Sequence, residues 1–329
     1  MQILRKEVEI MQVLSENQLK TMKDREVVNG VVYISSYNIG LTKKNEEFIS
    51  GEIMSGVSVP FKVWKNAVAF SKLRNEEFQS RVVFISGVCN VYQGTTQLVI
   101  DTVTAVDESV FSVEMFLPVK YNKDAYWNGL KSQFEYKVSD KAKAIANAAL
   151  FDNAEVAERF KTEFAAKSHH DNCVSGLMAH TYKVMRLMDT ILAEYKPLTQ
   201  NINDSTVNQD MFDICKLGVL FHDIGKVKEM KLGVYQPASM VTHRYLGIEM
   251  LPKDMIIEAY GEEGWLQLVA ILLQHHGEFG DDCRTLGAYL VHKCDLLEAQ
   301  LTSICTSLSN PIASSAGDRI KQDDLWLTI

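Results

Sequence analysis

Histidine is concentrated in one part of the chain. All eight histidines lie between residues 169 and 292, and the first 168 residues contain none. Several stand beside aspartate or in pairs, as in GVLFHDIGKVKE at residues 218–229 and LLQHHGEFGDD at residues 272–282. Histidine and aspartate side chains bind metal ions and transfer protons. The distribution therefore indicates two domains, with metal or acid–base chemistry in the second.

Segments with helical periodicity are predicted to direct ionisable side chains into the interior of this second domain. In the first such segment, Leu177, His180 and Val184 recur at steps of three and four, so the histidine shares the apolar face. Across four segments, the inward-directed residues are His180, His222, Asp223, His275, His276, His292 and Asp295. A single histidine on an apolar face is often only a hydrogen-bonded core residue, and that alternative stays open for each of them.

Two aspartates in this set, Asp223 and Asp295, favour a metal site. Burying a carboxylate without a partner costs several kcal/mol, so each needs a cation or a dense hydrogen-bond network. A divalent cation bound by imidazole nitrogen and carboxylate oxygen provides that partner, and ligation without thiolate suits Mn²⁺, Fe²⁺, Zn²⁺, Co²⁺ or Ni²⁺. Gly225 is predicted to end the apolar helix of residues 211–221, so that His222 and Asp223 reach one ion.

The first third of the chain has a different pattern. Residues 26–106 contain five short runs rich in β-branched and aromatic residues, separated by Gly, Asn and Lys. A predicted helix, KNAVAFSKLRNEEFQ at residues 65–79, follows the third run. Five strands with one helix after the third is the order of an OB-fold, a small all-β barrel that commonly binds single-stranded nucleic acid. We therefore predict a multidomain protein, with an OB-fold barrel over residues 26–108 followed by an all-α helical bundle.

Aromatic and lysine side chains of the barrel are candidates for binding single strands. Such proteins stack bases on aromatic rings beside lysines that contact phosphate. The candidates are Tyr33, Tyr37, Phe48, Phe61, Trp64, Lys43, Lys44, Lys62 and Lys65, of which Tyr33, Lys62 and Trp64 are the predicted substrate-binding residues. Because alternate residues of a strand face opposite sides, the competing interpretation is that some of these rings fill the barrel core.

The composition excludes several classes of protein. A net charge of −8 and a pI near 5.6 argue against coating of nucleic acid by bulk electrostatics, so any binding surface must be local. Six cysteines without a C-x-x-C pair favour reduced thiols over disulfides or a cysteine zinc site. The sequence has no apolar run long enough to cross a bilayer and no signal peptide, so we expect a cytoplasmic protein without membrane partners.

The order of the metal-binding candidates resembles a known family. His180, then His222 with Asp223, then Asp295 is similar to the H…HD…D signature of HD-domain metal-dependent phosphohydrolases, which are all-helical. The segments KSHHDNCVSGLMAHTYKVM, LGVLFHDIGKVKEM, LLQHHGEFGDD and LVHKCDLLEAQL resemble those of YhaM-type 3′-to-5′ exoribonucleases of Gram-positive bacteria. Those enzymes join an N-terminal OB-fold to a C-terminal HD domain. The resemblance covers roughly residues 16 to 306.

The resemblance implies a set of metal ligands. A first ion would be bound by His180, His222, Asp223 and Asp295, which match the signature. His243 and His275 or His276 match the additional histidines that hold a second ion in many HD enzymes, with Asp223 bridging the two ions. Mn²⁺ is the ion that we expect first, with Co²⁺, Fe²⁺, Ni²⁺ and Zn²⁺ as alternatives.

The resemblance also implies substrate contacts. Lys226 matches the lysine of HD-x-G-K and would bind a phosphate oxygen, so that Asp223 and Lys226 are the implied catalytic residues. His169 and His170 match a segment that touches substrate phosphate, although a capping or packing role explains them equally well. The chain departs from the family at Asp171, Thr242 and Gly287, none of which is an implied ligand.

The implied organisation assigns every part of the chain. Residues 1–25 form an N-terminal extension, residues 109–168 a helical connector, residues 169–308 the HD domain and residues 309–329 a polar, loosely held tail. The first fifteen residues are amphipathic and are expected to dock on a second subunit, which would make a homo-oligomer, or on their own domain.

The implied activity is stepwise hydrolysis of single-stranded RNA, and of DNA as a further candidate substrate, from the 3′ end to nucleoside monophosphates. Two alternatives stay open at this stage. One is an HD phosphohydrolase that acts on nucleotides or cyclic-nucleotide signals. The other is a non-catalytic single-strand nucleic-acid-binding protein whose helical bundle is a scaffold.

Overall fold

The structure is a computed structural model that describes residues 12–75, 78–92, 95–107, 109–167, 171–195, 209–308, 319–322 and 325–328. The chain divides into two compact units, Met1–Val119 and Lys120–Ile329. The first unit contains the strands of a barrel, and the second is mainly helical. Both predicted fold classes are therefore confirmed.

The first unit is a closed barrel of five strands in the order β1-β2-β3-β5-β4. Its elements are α1 (Glu16–Thr21), β1 (Val27–Leu41), β2 (Glu47–Met54), β3 (Ser58–Trp64), α2 (Val68–Asn75), β4 (Arg81–Tyr92), β5 (Thr95–Ala105) and a 3₁₀ turn (Val113–Phe116). Strands β3 and β5 pair in parallel and the other neighbours are antiparallel. This topology, with α2 after the third strand, is that of an OB-like barrel.

Alternation along β3 decides which side chains face the barrel interior. Val59, Phe61 and Val63 are buried, whereas Lys62 and Trp64 lie on the outer face. Before α1, Leu14 is buried and its backbone N–H donates a hydrogen bond to the carbonyl oxygen of Val31 on β1. The part of the N-terminal extension that the structure describes therefore docks on its own barrel, and residues 1–11 lie outside the described residues.

The second unit consists of helices around one apolar core. Its elements are α3 (Lys123–Glu135), α4 (Asp140–Ala146), a π-helical turn (Asn147–Phe151), α5 (Ala154–Thr162), α6 (Gly176–Glu194), α7 (Gln209–Phe221), α8 (Lys226–Glu229), β6 (Met230–Lys231), β7 (Val234–Tyr235), a 3₁₀ turn (Pro237–Val241), α9 (Thr242–Met250), α10 (Lys253–Gln274), a 3₁₀ turn (Gly277–Phe279), α11 (Leu286–Leu308), β8 (Arg319–Gln322) and β9 (Leu325–Thr328).

The helices predicted as a connector contribute to this core. Leu130 and Phe134 of α3, Ile145 of α4 and Phe160 of α5 are buried in the same apolar cluster as Leu177 of α6. Their amphipathic pattern identified helices, but such a pattern does not say against which core a helix packs. The second compact unit starts near Lys120, so it includes these helices.

Helix α7 is enclosed on nearly every side, as its composition predicts. Every residue from Asp213 to Phe221 is buried. The buried Lys216 is an exception to the apolar pattern and is compensated by Asp189, whose Oδ1 lies 2.5 Å from the lysine Nζ. Side chains at the C-terminal end of this helix are consequently buried within the second unit.

In the C-terminal tail, β8 and β9 pair antiparallel; whether the tail is loosely held stays a prediction. Within the described ranges, no helix combines the length and apolarity that crossing a membrane requires.

Candidate functional site

Five helices of the second unit bring the predicted metal ligands together around Asp223. The residues are buried or nearly so, and they come from helix interiors and helix ends. They are His180 on α6, His222 and Asp223 after α7, His243 on α9, His275 and His276 after α10, and Asp295 on α11. His292 of α11 belongs to neither group described below, and its Nδ1 lies 2.8 Å from the backbone oxygen of His275.

The turn after α7 allows the adjacent residues His222 and Asp223 to point to one region. Helix α7 ends at Phe221, one residue before His222. The prediction that Gly225 ends this helix is wrong, since Gly225 has helical dihedral angles of φ −63° and ψ −17°. Its role is close packing: a Cβ at Gly225 would lie 1.9 Å from the backbone oxygen of His243. The glycine thus lets α9 approach the turn that carries Asp223.

The first group of candidate ligands, the His180 cluster, consists of His180, His222 and Asp295. One potential ligand atom from each lies within 4.8 Å of the others. The Nε2 atom of His180 is 3.0 Å from Oδ1 of Asp295 and 3.3 Å from Nε2 of His222. Two imidazole nitrogens and a carboxylate oxygen therefore face one another in a buried space.

The second group, the His243 cluster, consists of Asp223, His243, His275 and His276, again within 4.8 Å. Oδ1 of Asp223 is 3.5 Å from Nε2 of His243 and 3.7 Å from Nε2 of His275. Its other oxygen, Oδ2, faces the first cluster at 3.5 Å from Nε2 of His222. Asp223 therefore presents one oxygen to each cluster, which is the geometry of a bridging carboxylate.

Three buried polar atoms of the His243 cluster have no hydrogen-bond partner among the described residues. They are Oδ1 of Asp223, Nε2 of His243 and Nε2 of His275. A buried polar atom without a partner costs about 1–3 kcal/mol, so three of them side by side require an explanation. A divalent cation explains all three, because each atom is a lone-pair donor directed at the same space. The residues of this site fit a metal ion.

The pKa values of the histidines differ between the two clusters. Burial lowers the pKa of His275 well below its usual value and that of His276 to about 4, and it also lowers that of His222. For His180, burial acts in the same direction, but Glu298 and Asp295 outweigh it and raise the pKa to about 10. His275 and His276 of the His243 cluster are thus neutral at pH 7, which is the state in which imidazole binds metal.

Comparison with known proteins agrees with this geometry. Residues 177–305 match the model of the HD domain family. The second unit contains an HD domain. The chain is 26% identical over 255 residues to the 3′-5′ exoribonuclease YhaM of Listeria innocua, covering 73% of this chain and 75% of that protein. To the 3′-5′ exoribonuclease YhaM of Oceanobacillus iheyensis it is 30% identical over 163 residues, or 46% of each chain.

These similarities confirm the resemblance to the YhaM-type family and support a metal-dependent hydrolase. Among solved structures, the mitochondrial single-stranded DNA binding protein Rim1 of S. cerevisiae is similar over 26% of this chain and 97% of its own, with 16% identity and a TM-score of 0.24. The strand order of the barrel identifies the OB-like domain independently of that similarity.

Two ligand candidates of the HD domain are oriented by backbone carbonyls. Nδ1 of His222 lies 2.8 Å from the oxygen of Val219, and Nδ1 of His275 lies 2.9 Å from that of Leu272. A carbonyl only accepts hydrogen bonds, so Nδ1 of each ring carries the proton. Nε2 is then unprotonated and can bind metal.

Two other histidines are held by glutamates that the sequence did not identify. Oε2 of Glu298 lies 2.5 Å from Nδ1 of His180, and Oε2 of Glu229 lies 3.1 Å from Nδ1 of His243. Glu298 follows Asp295 by three positions on α11, so both side chains share one helix face. That spacing could have indicated Glu298, whereas nothing in the local sequence distinguishes Glu229 from a solvated glutamate.

Lys226 lies directly beside the bridging carboxylate. Its Nζ donates to Oδ2 of Asp223 and to the backbone oxygen of Ala165, both at 2.6 Å. Burial lowers the pKa of Lys226, but the neighbouring Asp223 outweighs burial and raises it above its usual value. Burial likewise acts to raise the pKa of Asp223, and Lys226 with the nearby histidines holds it well below its usual range. The pair is therefore fully charged at pH 7.

The predicted substrate-binding residues of the barrel divide between core and surface. Lys62 lies 5.8 Å from the ring centroids of both Trp64 and Tyr92 and 5.9 Å from that of Phe48. Trp64 is 40% and Tyr92 is 58% exposed, so these rings are open to a partner. The prediction for Tyr33 is wrong: the side chain is only 3% exposed, although Val32 and Ile34 on either side of it are the residues that belong to the barrel core, and a buried ring cannot stack on a base.

Tyr37 and Phe61 are also buried, as the competing interpretation of alternating aromatics predicts. Tyr92 lies at the end of β4, inside the fourth predicted run, but it was not among the candidates chosen from the sequence. His169 and His170 lie outside the described residues, so their predicted substrate contacts stay predictions.

Proposed function

We propose that the protein is a metal-dependent 3′-to-5′ exoribonuclease that degrades single-stranded RNA, and single-stranded DNA as a further substrate, to nucleoside monophosphates. The observation that carries this proposal is that three buried ligand atoms without a partner among the described residues, Oδ1 of Asp223 and Nε2 of His243 and of His275, face one another within an HD domain. The names of the relatives, all 3′-5′ exoribonucleases, support a polymer as substrate.

We assign the two clusters to two divalent ions. The His180 cluster would bind one ion, the His243 cluster the other, and Asp223 would bridge them with its two oxygens. The nitrogen and oxygen ligand set is compatible with Mn²⁺, Co²⁺, Fe²⁺, Ni²⁺ and Zn²⁺, of which Mn²⁺ is our first candidate. When bound, such ions lower the pKa of a coordinated water and offset charge on phosphoryl oxygens.

The side chains of the protein supply position and charge around the scissile phosphate. Lys226, fixed by Asp223 and by the backbone of Ala165, is placed to donate to a phosphoryl oxygen and to offset the charge that develops there. Asp223 and Lys226 are therefore the catalytic residues of the proposal. The burial of this pair keeps water from screening the interaction.

The outer face of the barrel is the proposed binding surface for the single strand. We define it by Lys62 with the rings of Phe48, Trp64 and Tyr92. Rings of this kind stack on any base, and the lysine contacts phosphate, so binding would be largely independent of sequence. A local surface of this type is compatible with the overall net charge of −8.

The proposal is tested with 5′-labelled single-stranded RNA, Mn²⁺ and the purified protein. We expect a ladder that shortens from the 3′ end and is lost in Asp223→Asn. Asp213→Asn is the matched control, because Asp213 is equally buried on α7 but is hydrogen-bonded by Gln209 and Tyr260, which belong to neither cluster. This control should retain the ladder.

The same assay separates the alternatives. Turnover of nucleotides without cleavage of RNA would contradict the proposal and favour an HD phosphohydrolase of small substrates. Binding of RNA without cleavage of either substrate class in the presence of Mn²⁺ would favour a non-catalytic binding protein.

A further inference from the structure

We propose that Glu298, which is held in place by an ion pair with Lys183, is a positioning residue. It orients His180 and sets the metal affinity of the His180 cluster. The inference rests on the metal centre proposed above and extends it to residues outside the ligand set. Its basis is a continuous chain of contacts that runs from Lys183 through Glu298 to His180.

Glu298 fixes the protonated side of His180. The carboxylate is 3% exposed and its Oε2 lies 2.5 Å from Nδ1 of His180, which is fully buried. Because a carboxylate accepts the Nδ1–H bond, the ring is held with Nε2 directed at Asp295, 3.0 Å away. A carboxylate in this position also makes the imidazole a stronger metal ligand, since it increases electron density on the ring.

The other oxygen of Glu298 is held from a different side. Oε1 accepts from Nζ of Lys183 and, at 2.5 Å, from Oγ1 of Thr302. Lys183 also donates to Oγ1 of Thr302 at 2.8 Å. With Oε1 restrained by two donors, the carboxylate cannot rotate its Oε2 away from His180 without breaking these bonds.

Lys183 itself is positioned by a second buried carboxylate. Its Nζ is 2.7 Å from Oδ2 of Asp171, and Oδ1 of Asp171 accepts from the hydroxyl of Tyr121. Lys183 therefore lies between two buried carboxylates and offsets their charge, which would otherwise be costly. Asp171, where the sequence departs from the resembled family, therefore has a structural role: it binds the lysine that forms the ion pair with Glu298.

The two clusters have separate supporting carboxylates. Glu298 contacts His180, whereas Glu229 contacts His243 of the other cluster. Loss of Glu298 should therefore weaken one ion selectively, a result that general destabilisation of the fold would not produce.

The test measures Mn²⁺ binding to the full chain by isothermal titration calorimetry, without substrate. We expect two ions on the wild-type protein, one for each cluster. In Glu298→Ala, one of them should bind about 10- to 100-fold more weakly while the other is unchanged. Glu298→Gln should recover part of the loss, because its amide oxygen still accepts from Nδ1 of His180. Lys183→Met should weaken the same ion as Glu298→Ala.

A double variant tests whether the lysine acts through the glutamate. If it does, Lys183→Met together with Glu298→Ala should weaken binding no more than Glu298→Ala alone. The matched control is Lys216→Met, which removes another buried lysine, paired with Asp189, that contacts neither cluster in the described residues. This control should lower stability and leave both affinities unchanged.

Two outcomes would overturn the inference. A wild-type protein that binds no Mn²⁺ would remove the proposed metal centre and this inference together. A wild-type protein that binds two ions, with unchanged affinities in a folded Glu298→Ala or Glu298→Gln variant, would overturn the positioning role and leave the proposed function intact.

Discussion

Asp223 and Lys226 form a buried ion pair across the turn that follows α7, with 2.6 Å between Oδ2 and Nζ. Because the lysine donates only to Oδ2 of Asp223, Oδ1 remains directed at His243 and His275. The pair thus makes the carboxylate asymmetric: one oxygen accepts from the lysine, and the other faces the ring nitrogens of His243 and His275. This asymmetry is what allows one side chain to serve two clusters.

Replacing Lys226 with methionine should lower the free energy of unfolding and make that free energy depend on bound metal. The substitution leaves Asp223 as an unpaired buried charge, which costs about 3–5 kcal/mol when a buried pair is broken. Mn²⁺ would supply the missing positive charge, so it should raise the free energy of unfolding of Lys226→Met more than that of the wild type. Urea unfolding with Mn²⁺ and with a chelator measures both effects. An equal increase in the two proteins would contradict the proposed position of the ions.

Replacing Trp64 with alanine should weaken binding of single-stranded RNA by about 1–3 kcal/mol, the contribution of one base stacked on an aromatic ring. Since the ring is remote in sequence from the metal ligands, KM for a long RNA should increase and kcat should change little. Tyr33→Phe is the control, because Tyr33 is buried in the barrel. Fluorescence anisotropy measures the affinities. Unchanged binding in Trp64→Ala would exclude this surface as the RNA site.

Replacing Gly225 with alanine should disturb the His243 cluster, although alanine adopts the dihedral angles of this position without strain. The added Cβ would lie 1.9 Å from the oxygen of His243, so α9 must move away from Asp223. Gly247→Ala on the same interface is the control, because its nearest contact would be the flexible end of Leu272 at 3.3 Å. We expect weaker binding of one Mn²⁺ in Gly225→Ala only, as measured by calorimetry. Equal affinities in both variants would contradict the packing argument.

The clustering of the candidate ligands was predictable from the sequence, and most of the groups that orient them were not. His222 and Asp223 stand out because an apolar helix rarely ends in an ionisable pair without a partner for the charge. Glu229 has no such local signal, since a glutamate on a helix is usually solvated, and for Glu298 the only signal is its spacing of three residues from Asp295. Gly225 was identified as special for the wrong reason, because close approach of another helix is a property of the tertiary structure alone.

The barrel likewise shows that a local sequence pattern does not determine the tertiary contacts of a side chain. Alternation separates Phe61 from Lys62 and Trp64 within β3, but it does not say which of the two faces is the inner one. Tyr33 was predicted to be exposed but is buried, and the exposed Tyr92 was missed. The strand order itself was predictable, because the number of strands and the position of α2 are local features of the sequence.

Raising the pH above 9 should destabilise the protein, in part through Cys215. Burial raises the pKa of this thiol from 9.0 to about 12. Above pH 9 the unfolded chain releases the thiol proton while the folded chain retains it. The free energy of unfolding therefore falls as pH rises, by about 1.4 kcal/mol per pH unit for this group until pH approaches 12.

In Cys215→Ala this contribution is absent, so the stability difference between wild type and variant should shrink by about 2 kcal/mol between pH 9 and pH 10.5. Urea unfolding across this range measures the difference, and Cys305→Ala, at an exposed position, is the control. A constant difference between wild type and Cys215→Ala would mean that the thiol ionises in the folded protein as readily as in the unfolded chain, contrary to its burial against α11.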